Sequence, residues 1–272
     1  MLLGGIAVVS LILALLFCVL GQGALWAGLL VFAGAYLVLM LIAFLFLVTV
    51  CNLVDLEKEQ EEDDPFYRAV MYLYVEALIS LVLVRLKATG LEKTPKEGRF
   101  LLVCNHLFLA DPGILLHCFK KSQLAFITKK ENQQMFVVGK IMHKILCQPL
   151  DRENDRAALK TILKCIQLIK EDKVSVGVFP EGYTSKDGKL HRFRPGAFKI
   201  AQKANVPIVV CTIQGTRQIF KNLAKLKHTD VELHLVDVIP AEELKGKTTV
   251  EISDRVYETM IADLGESFRA EE

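Results

Sequence analysis

No Lys, Arg, Asp or Glu occurs before Asp55, so the first 54 residues carry no formal side-chain charge. Only ten of these positions are not apolar: six glycines, Ser10, Gln22, Thr49 and Asn52. Residues 2–20 make one apolar run, Gly21-Gln22-Gly23 interrupts it, and residues 24–51 make a second. About 20 apolar residues carry a helix across the hydrocarbon core of a bilayer. Each run is long enough, and the expectation for residues 1–54 is a transmembrane helical hairpin with a very short turn. A re-entrant hairpin dipping into one leaflet is the alternative. In both cases the two ends emerge on the same side. A cleaved signal peptide fits poorly, because the first run has no basic flank and a second run follows at once.

The other 218 residues hold all 64 charges, a density of about 29% that suits a globular domain with a full core. Residues 55–64 (DLEKEQEEDD) contain seven acids and one Lys. They read as a solvated linker, or a polar cap on the preceding helix. The division is therefore an anchor over 1–54, an acidic linker over 55–64 and a domain over 65–272. The net charge of +2 hides this division, since the linker contributes −6 and the domain +8. A basic domain tethered by an uncharged hairpin suits an anionic bilayer surface. The seven cysteines are odd in number and show no CxxC pairing. They read as buried free thiols in a reducing compartment, which puts the domain on the cytoplasmic face of the membrane.

Residues 66–84 read as a helix lying at the interface or packed on the domain. Beyond residue 82, short apolar runs alternate with helical periodicity. Strands are expected at 82–88, 99–104, 123–128, 145–149, 174–179, 207–213 and 231–238. Helices are expected at 112–119, 132–144, 156–170, 195–204 and 249–269. Such alternation indicates an α/β domain with a largely parallel sheet, whose ligands gather at the C-terminal ends of strands.

Polar motifs sit at those ends. Asn105-His106-Leu107-Phe108-Leu109-Ala110-Asp111 follows the apolar run Phe100–Cys104. Taken alone, Asp111 before Pro112 reads as a helix cap, and His106 as a loop histidine. Taken together, a histidine at a strand end and an acid at the next helix start can converge. The acid then holds one imidazole nitrogen while the other accepts a proton from an attacking hydroxyl, which is general-base chemistry. Asp151-Arg152 follows Ile145–Leu150, Phe179-Pro180-Glu181-Gly182 follows another apolar run, Phe193-Arg194-Pro195-Gly196 opens a helix, and Val206-Pro207-Ile208-Val209 enters a strand.

These blocks resemble, in order, the four motifs of the glycerolipid acyltransferase family. His106 and Asp111 match N-H-x4-D; Gly139 to Arg152 resembles the second motif; Phe179–Gly196 resembles F-P-E-G with its basic continuation; Val206–Val209 matches the fourth. The resemblance covers about residues 85–240. It implies a glycerolipid-acyltransferase-like α/β domain that moves a fatty acyl group from acyl-CoA or acyl carrier protein to the free hydroxyl of a lysophospholipid, 1-acylglycerol-3-phosphate above all. His106 would be the base and Asp111 its orienting partner. Asn105, Arg152, Glu181, Gly182 and Arg194 would bind substrate, with Arg152 holding the acceptor's phosphate through its planar fork. The family continues its third motif F-P-E-G-T-R-S, whereas this chain has Thr184 in place of the Arg. Lys129, Lys130, Lys186, Arg192 and Arg194 are the candidates to supply that charge. A membrane-bound hydrolase using the same pair on water, and a non-catalytic lipid-binding protein, remain as alternatives.

Neither a metal nor a cofactor is expected. His117, His143, His191, His228 and His234 lack ligand spacing, and there is no HExxH or GxSxG. Gly246-Lys247-Thr248 ends like a P-loop, but Ala241 stands where the first Gly should be. Basic residues are not interleaved with aromatics, which argues against nucleic acid. The expected partners are the lipid bilayer, a lysophospholipid and the acyl donor.

Overall fold

The computed structural model describes residues 1–21, 24–151 and 154–270. The two apolar runs are helices α1 (Leu2–Gly21) and α2 (Leu25–Asn52), both long and apolar enough to cross a membrane. The turn expected between them falls on residues 22 and 23, outside the described residues. Leu47, Val50 and Cys51 at the end of α2 are buried beneath helix α3 (Pro65–Leu81). Asp64 starts α3 by accepting the N–H groups of Phe66 and Tyr67, and Pro65 fills the first turn, where its missing N–H costs nothing. The helix stops three residues short of the expected 84, because Leu83 turns into the left-handed region at φ 56°.

Seven strands form one sheet: β1 (Val84–Thr89), β2 (Leu101–Cys104), β3 (Leu124–Lys129), β4 (Gln148–Leu150), β5 (Ser175–Val178), β6 (Ile208–Gln214) and β7 (Thr229–Ile239). Their order is β1-β7-β6-β2-β5-β3-β4. Every neighbouring pair is parallel except β6 with β7. This is an α/β fold with a mostly parallel sheet.

Alternate residues of each strand feed two cores. Leu102 and Cys104 of β2 join the side formed by α3, α4 (Asp111–Cys118) and α5 (Val138–Lys144). Leu101 and Val103 join the side formed by α6 (Asp155–Lys170), α7 (Lys199–Ala204) and α9 (Thr249–Leu264). Cover on both faces is why β2 and β5 are apolar at nearly every position rather than alternating. One further helix, α8 (Ile219–Leu223), was not expected; five residues carry too little periodicity to announce themselves.

Further boundaries depart from the sequence reading, among them the helix expected at 195–204, whose first turn, Pro195–Phe198, is 3-10 before α7 begins. The expected strand at 145–149 begins only at Gln148, because Leu146 adopts φ 65°. The expected helix at 132–144 is a 3-10 turn over Lys130–Gln134 followed by α5. The helix expected to reach 269 ends at Leu264, where Gly265 takes φ 97°. Gly246-Lys247-Thr248 leads into α9, with Thr248 as its cap: Thr248 and Glu251 form a reciprocal capping box.

The acidic segment lies against cations of the α/β unit. Glu59 pairs with Lys164 at 3.2 Å, and Glu62 pairs with Lys173. Asp63 makes a buried pair with Arg68 at 2.6 Å. The same guanidinium donates to the carbonyls of Leu124 and Ile145. Arg68 thereby ties α3 to the start of β3, and its remaining donors are satisfied as a buried charge requires.

Candidate active site

Strands β2, β3, β4, β5 and β6 all run the same way, so their C-terminal ends share one edge of the sheet. His106 lies just past β2, Phe179–Gly182 just past β5, and Asp151 just past β4. Residues from three separate stretches of sequence therefore meet at one edge because the topology is parallel.

The Asp111 carboxylate does not cap α4. Ala110 occupies the cap position, and Asp111 is the first residue of the helix itself. Its Oδ2 instead accepts the upstream N–H groups of Leu107 and Phe108, both at 2.7 Å. The same oxygen lies 2.9 Å from His106 Nδ1. Two backbone donors fix the carboxylate inside the loop that it closes, and the imidazole completes the set. With Nδ1–H donated to Asp111, Nε2 carries the lone pair. Nε2 bonds no described residue. Asp111 is fully buried while His106 retains 17% exposure, so only the imidazole of the pair reaches the open edge.

The ring of His106 is also held on its face. Phe179 stacks on it at 4.1 Å and 20°, and Phe126 of β3 stacks on Phe179 at 5.5 Å and 7°. The stack needs space in β5. A side chain at Gly177 would place its Cβ 2.5 Å from the Phe126 ring.

Glu181 works from beneath. It is 1% exposed. Its Oε1 accepts the His106 backbone N–H at 2.9 Å, and its Oε2 accepts that of His191 at 3.1 Å. Burial pushes its carboxyl up to about 7, against the opposing pull of those two N–H groups. Ser185 adds a third tie, donating its N–H to the His106 carbonyl at 2.8 Å. The third motif thus folds back as a bracket around the backbone of His106.

The other expected residues fall as follows. Asn105 is buried, and its carboxamide exchanges two hydrogen bonds with the backbone of Ile213, at 3.0 and 2.8 Å. It extends the β2–β6 pairing by one residue and touches backbone rather than the open edge. Gly182 adopts φ 82°, and a Cβ there would lie 3.0 Å from Arg194 Nε. Glycine is therefore needed twice, for the backbone and for the guanidinium laid over it. Arg194 is exposed, its own N–H donates to the Pro180 carbonyl at 2.8 Å, and its guanidinium bonds no described residue. Thr184 is exposed. Lys130 is engaged with Asp151 at 3.6 Å, and Arg192 lies over the Tyr257 ring. Arg152 lies outside the described residues. Sequence reasoning missed Phe126, Phe179, Ser185 and the His191 N–H. Phe179 and Ser185 stood inside a quoted motif; Phe126 left no signal, because nothing in the sequence pairs β3 with β5.

A family whose model is described as Acyltransferase matches residues 85–214. A probable 1-acyl-sn-glycerol-3-phosphate acyltransferase of Mycoplasma pneumoniae is 31% identical over 204 residues, covering 72% of this chain and 75% of its own length. The 1-acyl-sn-glycerol-3-phosphate acyltransferase of Bacillus subtilis is 33% identical over 180 residues, covering 63% of this chain and 86% of its own. In fold, the chain is similar to the crystal structure of the 1-acyl-sn-glycerophosphate acyltransferase of Thermotoga maritima. The TM-score is 0.61, at 21% identity over 84% of this chain and 89% of that one.

Proposed function

The chain belongs to the glycerolipid acyltransferase family, and from that premise we propose that it acylates the free hydroxyl of 1-acylglycerol-3-phosphate to give phosphatidic acid. The donor is an acyl thioester, either acyl-CoA or acyl carrier protein. The observation that carries this reading is the imidazole bound to Asp111 through Nδ1 at 2.9 Å, with Nε2 unbonded at the strand-end edge. The hydroxyl gives its proton to His106 Nε2 as its oxygen attacks the thioester carbonyl. The new C–O bond forms, the C–S bond breaks, and the imidazolium returns the proton to the departing sulfur. Asp111 stabilises the imidazolium while the proton resides there. A thioester is already activated, so the protein's main contribution is alignment, which is worth about 7–11 kcal/mol when the reacting groups are well placed.

In this reading Asn105, Glu181 and Gly182 act by positioning. Asn105 locks the end of β2, Glu181 holds the His106 backbone, and Gly182 makes room for Arg194. Arg194 and Arg152 hold the acceptor's phosphate. Arg194 supplies the charge that Thr184 lacks. Residues 1–54 are an integral anchor, 55–64 a linker and 65–272 the catalytic domain on the cytoplasmic face.

The test uses purified protein in vesicles, given each donor type and a panel of lysolipids, with products identified by mass. Lysophosphatidic acid should yield phosphatidic acid. Free fatty acid released without any lysolipid would replace this reading with hydrolysis.

A further inference from the structure

The chain from the end of β3 to the first residue of α5 presents three large apolar side chains in four residues. Met135 is 50% exposed, Phe136 56% and Val138 45%. Single exposed apolar residues need no explanation, but a contiguous set does. The segment is built rather than loose. The Met135 N–H donates to the Asn132 carbonyl at 3.2 Å, and the Gly139 N–H to the Met135 carbonyl at 2.8 Å. These side chains are held outward by a closed turn.

Their position in the fold gives the reason. The segment touches the end of the membrane-length helix α2. Cys51 Sγ donates to the Val137 carbonyl at 3.9 Å, and Lys140 Nζ donates to Asn52 Oδ1 at 3.2 Å. From that point α2 runs back alongside α3. Tyr67 bonds the Val50 carbonyl and Tyr74 that of Ala43, so α2 and α3 are antiparallel. Helix α3 ends beside Val84, which pairs with Thr229. Because β7 opposes β6, Thr229 lies at the edge where β2 and β5 end. Residues 135–138 follow β3 at that same edge.

Charge complements the position. Lys129 and Lys130 precede the apolar residues, and Lys140 follows, 5.4 Å from the Phe136 ring. Lys130 is shared with Asp151, and Glu131 is the one acid in the stretch. Apolar side chains flanked by lysines match the boundary between acyl chains and anionic headgroups.

We propose that Met135, Phe136 and Val138 form a second membrane contact, seated in the headgroup–acyl boundary of the anionic bilayer that holds the hairpin. The proposal rests on the reading of α1 and α2 as a membrane anchor. Its consequence is a second point of attachment beside the end of α2, which fixes how the α/β unit rests on the bilayer.

The chain has one tryptophan, Trp26, which lies in the anchor. The full chain is reconstituted in vesicles of phosphatidylcholine and phosphatidylglycerol whose acyl chains are brominated at shallow or deep positions. In one sample Trp26 reports the anchor. In a second, Trp26→Phe is combined with Phe136→Trp. The introduced indole should shift its emission to the blue and be quenched most by shallow bromines. Quenching by aqueous acrylamide alone, with Trp26 still quenched by bromolipid in the first sample, would overturn the contact and leave the anchor intact. No bromolipid quenching of Trp26 would overturn the anchor and the proposal with it. As a functional arm, Phe136→Asp should lower turnover of vesicle-borne lysolipid roughly tenfold through KM. It should leave a dispersed short-chain acceptor unaffected; equal turnover on both would count against the contact.

Discussion

Among the described residues three histidine–aspartate pairs occur, and two of them make the same contact, through Nδ1, in different surroundings. His106 Nδ1 lies 2.9 Å from Asp111, and His234 Nδ1 lies 2.6 Å from Asp263. In the first pair the carboxylate is fully buried and bonded by two loop N–H groups, and the imidazole is stacked on Phe179 past the end of a parallel strand. In the second the histidine sits in the middle of β7, the one strand antiparallel to its sheet neighbour β6. Asp263 comes from α9 and also accepts Thr212 Oγ1. That pair fastens a helix to a sheet. The His–Asp contact alone therefore does not separate the proposed base from a fastening. What distinguishes the first is that the carboxylate, the ring face and the backbone are each fixed independently, while one nitrogen is left open.

The sharpest way to break this contrast is to remove each imidazole in turn. His106→Ala should lower acyl transfer about 10³–10⁴-fold, the upper range for a lost general base. His234→Ala should leave turnover within about twofold and cost about 1 kcal/mol of stability, as a lost hydrogen bond does. Turnover in washed membranes, normalised to protein level, decides between them. Comparable losses from the two would erase the distinction.

Next in size are the carboxylates. Asp111→Asn puts an amide where one oxygen now accepts from His106, Leu107 and Phe108. The amide satisfies fewer of those donors and stabilises no imidazolium. Turnover should fall about 10²–10³-fold with KM for the donor little changed. Asp263→Asn should move the unfolding midpoint and leave kcat near normal. A kcat loss shared by both variants would mean that α9 bears on the site.

Much of this contrast was legible before the fold. The motif at 105–111 and the FPEG block could be placed at strand ends, because both follow apolar runs. The pattern of short strands and helices implied parallel ends on a shared edge. What the sequence could not carry were contacts set by the crossing order of the sheet. Phe126 reaches Phe179 because β3 lies beside β5, and the acids of 55–64 reach Lys164 and Lys173 because α3 packs where it does. Asp111 shows a subtler limit. Asp-Pro at a helix start normally means a cap, yet here tertiary donors outbid the helix for the same oxygen.

A smaller effect tests the carboxyl under the site, which the His234 pair lacks. Burial raises Glu181 to about 7 from an ordinary 4.5. The sign follows from proton counting. Between those values the native state keeps a proton that the unfolded chain has lost, so the contribution of Glu181 to stability is greatest below about pH 4.5 and falls as pH rises toward 7. The full shift is worth at most about 3 kcal/mol. Glu181→Gln cannot titrate and should flatten the curve. Unfolding midpoints at pH 5 and pH 8 in both proteins give the comparison, and identical slopes would remove Glu181 as the cause.

The smallest effect concerns the ring face. An aromatic pair adds about 0.5–1.5 kcal/mol beyond area, which as barrier height is about 2–12-fold in rate. Phe179→Leu keeps bulk and apolarity but loses the planar partner of His106 and of Phe126. If the stack sets the imidazole's orientation, kcat should fall by that factor while KM and the unfolding midpoint stay close to wild type, and Phe179→Tyr should restore kcat. If Phe179 only fills space, Leu and Tyr will rank by volume and stability instead, and kcat will follow the amount of folded protein. The two outcomes differ in which quantity moves, so even a threefold change decides whether the open nitrogen of His106 is aimed by its aromatic neighbour or by Asp111 alone.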